Sequence, residues 1–189
     1  MRGLVESFNF VKSLGVVDFK VVEEEKNLSE FGFPCFLKVD LGMHKTEAGG
    51  VLECFDFADA KRKLVEMRKR FVGSRIVVQR KVVGVEMIVG LKEDVVFGQV
   101  LMVGFGGIFA EVKRDVSFRA LPVSRKDVKE MVCELGGFGV FDARGKKYAL
   151  ERFYGLVERV ARMKHVGEMD LNPVIVGEGF VKVVDARVD

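Results

Sequence analysis

The stretch RIVVQRKVVGVEMIVGLKEDVVFGQVLMV, residues 75–103, carries three β-branched runs in succession, at 75–82, 85–91 and 95–103. Each break between them is too short to hold a helix. Strands that follow one another so closely pair as antiparallel or mixed sheets, which favours helices gathered on one face over a doubly wound parallel sheet. The reading is α+β.

Working outward, further strand patterns lie at Cys35–Val39, 50–55, 169–176 and 180–188. Between them, Ala60, Leu64, Met67 and Phe71 recur at helical steps, as do Val128, Met131 and Leu135, and Ala149, Phe153, Leu156, Val160 and Met163. Ser124 followed by Asp127 is spaced to cap the second of these helices. A reversal at Gly84 suggests a boundary that divides the chain into lobes 1–80 and 81–189, with no Pro/Ser/Gly-rich linker or repeat.

Hydrophobic residues form 49% of the 189 and charged residues 31%, interleaved along the chain, which is the composition of a globular protein. The first fifteen residues are broken by Glu6 and Asn9, and the longest uncharged stretch, 95–110, is too short to span a membrane; the expectation is a cytoplasmic protein without membrane contact. Cys35, Cys54 and Cys133 show no C-x-x-C spacing and are expected to be buried and inert. The basic run on the first helix lacks interleaved aromatic residues and is read as a solvated face, not a nucleic-acid surface.

Three segments carry chemistry. KVDLGMHKTEAGGV, from Lys38, joins a strand ending in lysine to a loop with His44 and the pair Gly49-Gly50; glycine backbone and the charges of Lys38 and Lys45 suit a phosphate, while the plainer reading is a hairpin turn. The Walker and Rossmann patterns fail at Val140, Lys147 and Phe109. In MDLNPVIV and FVKVVDARV, Asp170 and Asn172 share a strand face, and Asp185 alternates with Val181 and Val183. A carboxylate among apolar neighbours needs a partner, either a hard cation shared with Asp170 and Asn172 or an arginine such as Arg187 or Arg119. GFGGIFAEVKRDVSFRALPV, from Gly104, reads as a glycine loop followed by Glu111, Arg114, Asp115 and Arg119 at alternating positions. Glu86 shares its strand face with Ile88 and is expected to point into a cleft.

The ordered series FPCFLKV, HKTEAGGV, GVEMIVG, FGQVLMVGFGGIFAEVKRDVSFRALP, MDLNPVIV and VVDARV resembles the ATP-grasp subunit or domain of ADP-forming acyl-CoA (acetyl-CoA) synthetases, relatives of the succinyl-CoA synthetase β subunit. The resemblance covers nearly the whole chain. It implies an ATP-grasp fold of two α+β lobes with a nucleotide cleft between them, and reversible conversion of acyl-CoA, ADP and phosphate to acid, CoA and ATP. Carried over by position, Lys38 meets the phosphates, the backbone of Gln79, Arg80, Lys81 and Val82 meets the adenine, and Gly49, Gly50, Glu86 and Arg119 complete the nucleotide set. Asp170, Asn172 and Asp185 fall on the magnesium ligands. His44 matches the histidine that accepts phosphate and passes it to ADP, a role suited to an imidazole neutral near pH 7. His165 is read as structural. The segments around Lys38 and His44 are shorter than is usual, which makes the first lobe compact. The resemblance also implies a CoA-binding α subunit as partner; the alternative is a non-catalytic ATP-grasp module that binds a ligand and signals.

Overall fold

A computed structural model describes residues 2–41, 49–107, 115–163 and 166–189. His44, Lys45, Glu111, Arg114 and His165 lie outside the described residues. The chain opens with a short helix, α1 (Leu4–Phe10), and divides into two compact units: residues 1–6 with 17–82, and residues 7–16 with 83–189. The cut between Val82 and Val83 falls near the reversal at Gly84, and residues 7–16 group with the second unit.

In the first unit, β1 (Phe19–Val21), β2 (Cys35–Val39), β3 (Val51–Cys54) and β4 (Ile76–Arg80) form an antiparallel sheet in the order β1-β4-β2-β3. Helix α2 (Phe57–Arg70) covers one face. Its Ala60, Leu64 and Met67, at steps of four and three, pack into a core with Cys35, Leu37, Val39, Ile76 and Val78. Asp56 caps the helix by accepting from the Asp59 N–H at 2.8 Å.

The basic residues of α2 are engaged individually. Lys61 pairs with Glu25, Arg62 and Lys63 pair with Asp59, and Arg68 donates to the Val22 carbonyl.

In the second unit, β5 (Val85–Asp94), β6 (Gly98–Phe105), β7 (Val116–Ala120), β8 (Glu168–Val176), β9 (Val181–Val183) and β10 (Arg187–Val188) form an antiparallel sheet. The order is β10-β8-β5-β6-β7, with β9 also on β8. Helices α3 (Arg125–Cys133) and α4 (Leu150–Ala161) cover one face through Val128, Met131, Phe153, Leu156 and Val160, all fully buried. Ser124 and Asp127 form the expected reciprocal cap on α3. Between the two helices, Arg125 bridges Glu151 and Glu158, each at 2.6 Å.

Two irregularities of the β8 pairing decide which way its side chains face. Met87 pairs with Val174 and Val89 with Leu171, so Ile88 faces two residues of β8, Asn172 and Pro173: a β-bulge. The pattern at 180–188 resolves into two short strands, β9 and β10, that keep one register against β8, Val183 opposite Val174 and Arg187 opposite Asp170.

Candidate functional site

The helix-free face of the larger sheet gathers the second motif. On β8, Asp170 and Asn172 point away from the helices while Met169 and Leu171 are buried beneath them. Because β9 and β10 share one register, Asp185 stands opposite Asn172; its Oδ1 accepts from the Ala186 N–H at 2.8 Å. Burial pushes the Asp170 carboxyl above its ordinary range; the charge of Arg187 opposes that shift, and those of Asp185 and Glu168 add to it. Two carboxylates and an amide on one sheet face offer hard oxygen donors of the kind a divalent cation takes, and such a cation would relieve the penalty on Asp170. Among the described residues no group of three or more His, Cys, Asp or Glu side chains is set to hold a metal, so the third protein donor would be the Asn172 amide.

Beside these residues the face carries an apolar patch, with Lys92, Glu93, Asp94 and Glu168 also bordering it. Registers place Arg187, Asp170, Gly90, Met102 and Phe118 in one row across five strands, with Phe118 54% exposed at its end. Gly90 keeps the row low between Asp170 and Met102. A cavity of about 460 Å³ runs over this face, lined by Gly90, Val100, Met102, Phe118, Asp170 and Asn172 among others. The shelf of Val100, Met102 and Phe118 was not singled out from sequence, although the alternation of Phe118 with Ser117 and Arg119 carried the signal.

At the end of the same sheet a second cavity, of about 820 Å³, is lined by Glu86, Gly106, Gly107, Asp115, Gly136 and Tyr148 among others. Glu86 is exposed and lines this cavity. Its carboxylate occupies the space that a side chain on Gly107 would need, 2.6 Å from the position of a Cβ, and Gly107 itself has φ +65°. The Gly136 and Gly137 N–H groups both donate to the Asp115 carboxylate, at 2.9 and 2.8 Å. Gly104 belongs to β6 and not to a loop: Val116 Cγ1 and the Asp115 carbonyl lie 2.6 and 2.8 Å from where its Cβ would stand, so this glycine lets β7 approach.

Arg119 requires a correction. It lies on the helix-covered face, where its guanidinium clasps Glu134 through two bonds of 2.9 and 2.8 Å; Ser117 also bonds to Glu134. That hydrogen-bonded pairing raises the Arg119 pKa and holds the Glu134 carboxyl below its usual range. The structure thus groups Arg119 neither with Asp170 and Asn172 nor, as a salt bridge, with Asp185. The strand alternation that exposes Phe118 is what turns Arg119 away.

In the first unit, Lys38 and Gln79 are buried on the sheet face opposite α2, and Lys81 bonds to Glu53 on that side. Arg80 turns the other way towards Asp18, at 3.4 Å, and Val82 is half-buried after the strand ends. Gly49 has φ +67° and lies against the Arg70 guanidinium, and the Gly50 carbonyl accepts from the Val39 N–H at 2.8 Å. Cys35 and Cys54 are opposite partners in the β2–β3 ladder and fully buried. The bond from Cys35 and then burial push the Cys54 thiol well up, which keeps it unreactive. Among the described residues no helix is long and apolar enough to cross a membrane.

Comparison with known proteins gives one family and a consistent set of relatives. A family model described as an ATP-grasp domain matches residues 13–189. An acetate–CoA ligase [ADP-forming] II of Archaeoglobus fulgidus is 37% identical over 172 residues, which are 86% of this chain and 25% of the relative, so the chain spans about a quarter of that protein. The β subunit of acetate–CoA ligase [ADP-forming] I from Pyrococcus furiosus is 30% identical over 91% of this chain and 83% of its own length. A solved dinucleotide forming acetyl-coenzyme A synthetase 1 of Ca. Korarchaeum cryptofilum superposes with a TM-score of 0.83 at 31% identity, covering 99% of this chain and 92% of that one. That structure holds coenzyme A and Mg-AMPPCP, with its phosphohistidine segment pointing towards the nucleotide binding site.

Proposed function

The chain belongs to the ATP-grasp family, and on that premise we propose that it is the nucleotide-binding part of an ADP-forming acyl-CoA synthetase, acting with a CoA-binding α subunit. The reaction is acyl-CoA, ADP and phosphate to acid, CoA and ATP, in either direction, with His44 carrying the phosphoryl group. The observation that carries this reading is that Asp170, Asn172 and Asp185 share an open sheet face beside the apolar side chains of Val100, Met102 and Phe118. The relatives' names and the nucleotide and coenzyme A held by the superposed structure support it.

In this reading Asp170, Asn172 and Asp185 hold Mg2+, which neutralises charge on the nucleotide phosphates when bound. Gly90 leaves room above the sheet, and Glu86 lines the same face further along β5. Lys38, Gly49 and Gly50 take the phosphates, and the chain from Gln79 through Arg80 and Lys81 to Val82 meets the adenine. His44 is the nucleophile that accepts phosphate through a ring nitrogen and returns it. We place the protein in the cytoplasm, where three free thiols are at home.

The test uses the protein with its CoA-binding partner, Mg2+ and ATP labelled on the terminal phosphate. Acid-labile label on this chain that vanishes in His44→Ala supports the relay. Label that persists unchanged in that variant sinks it, and nucleotide binding with no label at all in the wild type favours the non-catalytic module.

A further inference from the structure

We propose that Arg187 is an additional binding residue of this site, its guanidinium facing Asp170 across the β10–β8 pair and gripping the nucleotide's polyphosphate when nucleotide binds.

Two observations carry this. Arg187 is the direct cross-strand partner of Asp170, and directly opposed residues project to the same side of a sheet, so its side chain rises on the open face while Val188 is buried. And it is uncommitted: among the described residues it forms no hydrogen bond or ion pair. By contrast Arg62, Arg75, Arg119 and Arg125 each close a contact of 2.6 to 2.8 Å on a carboxylate.

A guanidinium set across from a half-buried carboxylate, yet not closed onto it, keeps its planar fork of donors for an anion. A polyphosphate laid over Asp170 and Asn172 brings such an anion within its reach. The same positive charge disfavours a bare cation at Asp170 and Asp185, because like charges repel most where solvent is least. The two effects have opposite signs. Removing the charge weakens nucleotide and strengthens metal, and a merely structural arginine would do neither selectively.

The inference rests on the nucleotide function proposed for this face, and the experiment separates the two. With the full chain, ADP binding is measured by calorimetry in EDTA and in Mg2+, and Mn2+ binding without nucleotide by electron paramagnetic resonance, for wild type, Arg187→Gln and Arg187→Lys. In EDTA, Arg187→Gln should bind ADP about tenfold more weakly, the loss of one charge-assisted contact. It should bind Mn2+ alone about threefold more tightly, and Arg187→Lys should keep the wild-type Mn2+ affinity. Unchanged ADP affinity in EDTA, or a parallel loss of ADP and Mn2+ binding, overturns the proposal for Arg187 while the site reading stands. Failure of the wild type to bind ADP with Mg2+ overturns the reading itself.

Discussion

Two glycines of the larger sheet make opposite demands, and replacing each by alanine separates packing from ligand binding. At Gly104 a Cβ would stand 2.6 Å from Val116 Cγ1 and 2.8 Å from the Asp115 carbonyl. One of these is backbone, so no rotamer change relieves it and β7 must move. Overpacking of this kind costs about 1–3 kcal/mol, and at roughly 2–4 °C per kcal/mol for a chain of this size the midpoint of thermal unfolding should fall by several degrees. At Gly90 the contacts are 3.3 Å to the terminal methyl of Met102 and 3.4 Å to the Met169 carbonyl. The methyl can swing aside, and the backbone entropy recovered on replacing a strand glycine, about 0.5–1 kcal/mol, offsets the crowding. Gly90→Ala should therefore unfold within about two degrees of wild type.

Ligand reverses the ranking. Saturation of the wild type at a hundredfold excess over Kd adds about 2.7 kcal/mol. Gly104→Ala, whose added methyl is on the same face but presses on Val116 and the Asp115 carbonyl, at a position that lines neither cavity, should keep that increment. Gly90→Ala places its methyl between Asp170 and Met102 and should lose most of it. Scanning fluorimetry with and without Mg-ADP reads all four values. A wild-type midpoint for ligand-free Gly104→Ala would refute the packing argument, and a full ligand increment in Gly90→Ala would remove the nucleotide from this face.

Three further outcomes are expected. Because burial raises the Asp170 carboxyl, its favourable contribution exists while the group is protonated and is lost as pH rises through the raised value; Asp170→Asn should raise the ligand-free unfolding midpoint at neutral pH and abolish stabilisation by Mg2+, and a lower midpoint there would contradict this. Glu134→Ala removes the partner of Arg119 and Ser117 and should cost about 1 kcal/mol by urea unfolding, with Mg-ADP affinity unchanged; a large affinity loss would return Arg119 to the nucleotide set. Cys133 is exposed, contrary to the burial expected of all three cysteines, so a thiol reagent should label it alone in the native protein and all three in denaturant, as counted by mass spectrometry.

The sequence carried the fold class because successive β-branched runs without helices between them admit few arrangements, and the helical steps of α2, α3 and α4 fell where the core needs them. It was weaker wherever identity depended on which way a strand faces. Arg119 and Phe118 are neighbours, and only the pairing of β7 with β6 decides that the phenylalanine meets the open face and the arginine meets α3. Gly104 read as loop because a glycine required for close strand approach looks, in one dimension, like a glycine required for freedom. The opposition of Cys35 and Cys54 was hidden for a related reason: eighteen intervening residues separate two thiols that the ladder sets face to face.

The bulge at Asn172 and Pro173 bears on any attempt to transplant this site. Strand β8 is read in two frames, one on each side of the bulge, since Leu171 and Val174 both face the core although three positions separate them. An engineer who copied Asp170 and Asn172 onto a regular strand would carry over the side chains without the phase change, and the next inward residue would point to solvent. The portable unit is the pair of residues together with the slip: deleting one residue there would make the strand regular and keep Leu171 and Val174 on the core face, whereas inserting one into a regular partner strand without the bulge would turn half of it inside out.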